Sequence, residues 1–214
     1  DAGAPEAFWQ DPARRAQVQA VLDAGETELL GMTWSAAYPG VDNYKSWINY
    51  ALAQNSDTRF FIAVPWPEDP EGFDSAQFAA EVESLQETVH ALLEALRDKY
   101  PGVDFYSVPS GGAAAALYER YEQGQLPDVS ALVGASASAL FTDDPGGPGD
   151  ILVAAGELVW LAAIYDVDLD TYAYDPGYIT DIKQLAAQVM AAHPKRFNAP
   201  DEVDVDSDGD GIVD

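Results

Sequence analysis

Apolar positions fall into two kinds of run along this chain, and the two kinds alternate. Behind Asp11-Pro12, an N-cap followed by proline at the first helical position, the pattern predicts a helix over 12–23 that stops near Gly25. Residues 28–33 read as a short apolar strand. Asn43 is placed to cap a helix over 44–54, where Tyr44, Trp47, Ile48, Ala51 and Leu52 share one face. Residues 59–64 form a nearly all-apolar strand ended by Pro65, and such continuous runs suit a parallel sheet covered on both faces. Asp74, with Gln77 three residues on, predicts a capping box ahead of a long helix over 76–99. A third strand follows at 103–108 and a helix at 112–122. Residues 124–150 read mostly as loop, with a short strand at 139–141. Asp150 is placed to cap a buried helix through residue 165, and a last helix spans 178–192.

Helices and strands in this order predict an α/β domain in three layers, α/β/α, around a parallel sheet. No internal repeat interrupts it. From residue 198 the chain turns polar and acidic, which divides it into a domain at 1–197 and an acidic C-terminal tail at 198–214.

Charge narrows the partners. The chain carries 37 Asp and Glu against 10 Lys and Arg, a net charge of −27. Phosphate backbones and anionic membranes both require positive charge, so no nucleic acid partner is expected. No membrane span is expected either, because the most apolar stretch, 151–165, is short and contains Glu157. Surfaces this acidic suit high salt or a calcium-rich extracellular setting, as in a secreted marine or halophilic microbial protein. The N-terminus, with neither Met nor leader, reads as processed. Without cysteine there are no disulfides and no thiolate metal sites.

The tail has its own pattern. Asp204, Asp206, Asp208 and Asp210 alternate, Gly211 follows, and Asp214 closes the run. Calcium takes six to eight oxygen ligands, and alternate carboxylates can turn to one centre around a glycine bend. With Asp206 as loop position one, Asp208 falls at three, Asp210 at five, Gly211 at six and Asp214 at nine, the first part of an EF-hand-type loop without its closing acidic residue. The stretch resembles the calcium loops of dockerins and thrombospondin type 3 repeats, and calcium is the expected cofactor.

Within the domain, Leu30-Gly-Met-Thr33, the run from Tyr44 to Leu52, Asp57-Thr-Arg-Phe-Phe-Ile-Ala63, and Asp150-Ile-Leu-Val153 through Ile164-Tyr-Asp-Val-Asp168 resemble bacterial SGNH/GDSL-type hydrolase-like proteins. The resemblance covers most of residues 1–197 and implies a flavodoxin-like sandwich. It also implies an esterase acting on acylated carbohydrate or lipid, in which an early serine attacks and a late Asp-x-x-His supplies the base. A serine hydroxyl is a poor nucleophile until a base takes its proton. Two departures follow. No Gly-Asp-Ser precedes Glu28, and the late block places Gly147 where the histidine belongs, leaving Asp143, Asp144 and Gly147 as a remnant. The two histidines, His90 and His193, read as structural.

Trp34, Tyr38 and Trp66 follow the ends of strands, where parallel sheets place ligand clefts, and their rings could stack on carbohydrate. Ser110-Gly-Gly112 opens a helix whose amides could hold an anion. Trp34, Tyr38, Trp66 and Ser110 are therefore the ligand-cleft candidates. The expected function is a secreted, acidic, calcium-binding pseudoenzyme with a binding or assembly role. The alternatives are an esterase whose nucleophile lies outside this chain, or a carbohydrate-binding module. The resemblance also implies a missing strand beside residues 28–33. Leu29, Leu30 and Met32 would then border an open edge, to be filled by a strand-completing peptide, by self-association, or by residues 1–10 folding back.

Overall fold

The structure is a computed structural model that describes residues 3–143 and 145–198. Asp144 and the calcium-type loop at 204–214 lie outside the described residues.

Three parallel strands, β1 (Leu29–Thr33), β2 (Arg59–Ala63) and β3 (Phe105–Val108), form the middle layer in the order β1-β2-β3. Leu29 aligns with Arg59, Gly31 with Phe61, and Phe61 with Tyr106. Each crossover is a helix, α3 (Lys45–Gln54) and then α4 (Ser75–Lys99), and both pack on one face of the sheet. Parallel strands need such crossovers. That face buries Met32, Phe60, Ile62 and Phe105 against Trp47, Ile48, Leu93 and Leu96. Two further helices, α1 (Pro5–Gln10) and α2 (Pro12–Leu22), complete it. On the opposite face Phe61, Ala63, Tyr106 and Val108 meet α5 (Ser110–Glu122), α6 (Asp150–Tyr165) and α7 (Ile182–Ala192). This is the three-layer α/β/α sandwich.

Local chemistry accounts for most of the boundaries. Asp74 accepts from the Gln77 amide at 2.8 Å while the Gln77 side chain accepts from the Asp74 amide at 3.2 Å, a complete capping box. Asp11 caps α2 through Ala13 N at 2.9 Å. Elsewhere the structure corrects the sequence reading. Asn43 does not cap α3; it ends a 3-10 turn, Val41–Asn43, and the helix begins at Lys45. Asp150 is the first residue of α6, with Gly149 as its cap, and its carboxylate receives the Ser136 hydroxyl. The last helix begins at Ile182 rather than 178. Ile179 N and Thr180 N are both taken by the carboxylate of Asp128, at 2.8 Å each, and Asp181 caps the helix through Gln184 N at 2.9 Å. Among the additional elements are α1 and β4 (Ala131–Val133), which pairs in parallel with β5 (Ala139–Phe141).

Candidate functional site: a cleft over the edge strand

The sheet positions a cleft at β1. Among the described residues no strand pairs with the outer side of β1. Above it lies an open cavity of about 970 Å³, walled by α6 on one side, by Phe61 and the end of β2 on another, and bordered at its mouth by Asp143 and residues 145–148. A second cavity, about 430 Å³, runs along the strand's edge between Phe8 and Val18 on one side and Phe61 and Trp160 on the other. The two share Thr33, Phe61 and Trp160 in their walls.

The walls are largely apolar. Phe61 meets Trp160 edge to face, 5.0 Å between ring centres. The Trp160 indole donates to Ser110 Oγ at 2.8 Å. Polar groups gather at the rim, where Glu68, Asp143 and Glu157 contribute three carboxylates, and among the described residues no Lys, Arg or His lines the cavity.

The turn at the mouth follows from its glycines. Thr142 N donates to Gly147 O at 2.7 Å, Gly146 N to Asp143 O at 2.9 Å, and Gly146 adopts a φ of 79°, which favours glycine. The Trp66 indole donates to Gly146 O at 2.8 Å and ties the turn to the end of β2. Asp143 Oδ1 accepts from Gly147 N at 2.7 Å, so this carboxylate closes its own turn. A Cβ at Gly147 would lie 2.5 Å from Thr142 Oγ1 and 3.0 Å from Asp143 Oδ1, so a larger residue there requires these two side chains to move aside.

Of the four cleft candidates, the structure brings together Trp66 and Ser110, which both line the large cavity. Trp34 packs against the α2/α3 side of the sheet, with its Nε1 buried and, among the described residues, without a hydrogen-bond partner. Tyr38 sits half-buried in the turn that follows, its amide donating to Ser35 O at 3.0 Å. Neither lines the cavity. Residues 5–10 do fold back, but onto α3: the Trp47 indole donates to Pro5 O at 2.8 Å, and Trp9 packs on Trp47 with ring centres 4.9 Å apart. The helix α1 therefore walls the edge cavity through Phe8 without pairing with the strand.

A serine and a histidine do meet, in a place the sequence does not reveal. Ser107 Oγ and His193 Nε2 are 3.0 Å apart, and the His193 ring lies 5.3 Å from that of His90. Ser107 is wholly buried in β3 and His193 is 3% exposed. Burial pushes His193 down to about 4, against a weaker opposing pull from the Phe197 backbone. A nucleophile must reach its carbonyl, and Ser107 opens to neither the β1 cleft nor the cavity of about 280 Å³ that His193 borders between α5 and α7. Among the described residues no group of three or more His, Cys, Asp or Glu could hold a metal, and no helix is long and apolar enough to cross a membrane.

No family model matches the chain, and no curated protein matches it. It is similar to a solved structure, a DUF4886 family protein from Bacteroides uniformis, with a TM-score of 0.51 and 16% identity over 82% of this chain. The chain spans 64% of that protein's length. At this identity the likeness concerns the fold, and it agrees with the α/β/α sandwich.

Proposed function

We propose that this chain is a binding protein built on an SGNH-hydrolase-like scaffold, without ester-cleaving chemistry of its own. The observation that carries the reading is Gly147, which stands where the resembled family's base belongs and is held in a closed turn, its amide donating to Asp143 Oδ1 at 2.7 Å. In the resembled family the late block supplies an acid three residues before a base; here that acid's position is Asp144, outside the described residues, and a glycine, which carries no titratable group, stands at the base's position. Among the described residues one serine lines the cavity, Ser110, whose hydroxyl receives the Trp160 indole. This serine's side-chain hydrogen bond among the described residues is to an indole rather than to a base that could take its proton. The test is turnover of a short-chain p-nitrophenyl ester by the purified chain. The expected rate equals that of buffer, and saturable turnover abolished by a serine-directed inactivator would sink the reading.

Calcium belongs to the same proposal, with Asp204, Asp206, Asp208, Asp210 and Asp214 as ligands. The alternate carboxylates and Gly211 support it. Secretion into a saline or calcium-rich medium is the setting that a charge of −27 fits.

A further inference from the structure

We infer that the slot along β1 is a docking site for an extended apolar peptide with basic flanks, which adds to the sheet as a fourth strand. The inference rests on the reading of this chain as a binding scaffold and names the ligand class of that site.

Three observations converge. The first is the backbone of β1. Arg59 N donates to Glu28 O at 2.8 Å, so residue 28 faces β2. Backbone groups of alternate residues point the same way along a strand. Leu30 and Met32 therefore face β2 as well, while Leu29 and Gly31 turn their amides and carbonyls into the slot. Gly31 is exposed in mid-strand, where a glycine suits the close approach of another backbone.

The second is α6. Its 16 residues carry two charges, Asp150 and Glu157, and a helix apolar nearly all round is one that expects cover on every side. Yet Val153 is 42% exposed, Trp160 39% and Tyr165 71%. All three line the large cavity. The uncovered side of this helix thus overhangs the uncovered edge of the strand. The walls on the far side are Phe8 and Val18.

The third is charge. Glu68, Asp143 and Glu157 line the large cavity, on a chain of net charge −27. Cationic flanks on the peptide are complementary, and a second copy of this chain is repelled. A peptide also answers both demands of the slot at once. An acyl chain would cover Trp160 and Val153 but leave the Gly31 amide and carbonyl unmatched, whereas strand addition satisfies side-chain pockets and main-chain groups together.

The test uses the full chain and a synthetic peptide of about ten residues, with alternating Val and Ile at its centre and Lys at both ends. Binding is followed by fluorescence anisotropy, and hydrogen exchange is read at single amides. The expected result is saturable binding that slows exchange at Gly31 N, loses about tenfold or more in affinity in Trp160→Lys or Val153→Lys, and fails when alternate peptide amides are N-methylated. Four results overturn the inference: no binding, binding without protection of Gly31, equal binding of the N-methylated peptide, or the same protection from decanoate or from the chain's own association. Loss of peptide binding alongside absent ester turnover removes the inference and leaves the scaffold reading standing. Ester turnover removes that reading whatever the peptide does.

Discussion

The ring of Phe61 lies across Gly31: a Cβ built on Gly31 would fall 2.1 Å from Phe61 Cζ. The two residues are register partners on adjacent strands. One side chain occupies the space of two, and the strand's outer surface is left as bare backbone. Gly31→Val is expected to cost about 1–3 kcal/mol, because the ring must leave its place. In a Phe61→Ala background the same change should cost much less. Urea unfolding of the four proteins gives the coupling directly, and additive effects would show that the ring does not need the glycine.

His193 should make the fold acid-sensitive in a defined window. Its folded value, about 4, lies below its ordinary 6.5. As pH falls, the unfolded chain binds this proton first. The stability contributed by neutral His193 is whole above about 6.5, drains away between there and about 4, and is lost no further below that. The separation corresponds to about 3 kcal/mol. Comparing denaturant midpoints of the natural chain and His193→Gln across this window isolates it from the carboxylates. Parallel pH profiles would contradict the assignment.

Asp128 should act at lower pH. Burial works to raise its carboxyl, but bonds from the Thr180 hydroxyl at 2.7 Å and from the Ile179 and Thr180 amides outweigh it and hold it below the usual 3.8. Its contribution is present above that ordinary value and is lost as pH falls through the depressed folded one. Asp128→Ala leaves two amides without their acceptor and should cost about 1–3 kcal/mol, with fraying of α7 visible by hydrogen exchange. An unchanged α7 would show that the anchor is dispensable.

Much of this architecture is legible in the sequence because its causes are local. The Asp74 and Gln77 capping box, the all-apolar β2 and the alternation of elements need only near neighbours. The missed features are non-local. The start of α7 is set by Asp128, some 50 residues upstream. The contact of Ser107 with His193 spans 86 residues, and β4 is three residues long, with no pattern to read. At the cleft, the end of β2 is legible as the place from which Trp66 reaches the cavity wall. For Trp34 the signal lay in parity. It follows Thr33 and shares the side of Leu30 and Met32, which face α3, so period-two counting places it away from the cleft.

Stability should rise with salt. A net charge of −27 makes the compact state self-repelling, and added ions screen that repulsion within about 10 Å at 0.1 M. Melting temperatures across a sodium chloride series should climb, and a flat series would contradict the claim.

Calcium should bind to the tail. Titration calorimetry at moderate salt is expected to show heat for the full chain and none for a chain ending at Pro200. Equal heats would place calcium elsewhere or nowhere.

The central claim is that the scaffold holds no activated serine, and covalent labelling measures this most directly. The purified chain is incubated with a fluorophosphonate, and its intact mass is followed over time. The account predicts an unmodified mass, since the Ser110 hydroxyl is bonded to the Trp160 indole rather than to a base among the described residues, and Ser107 is sealed in the core. A single stoichiometric adduct, mapped to either serine, would contradict it.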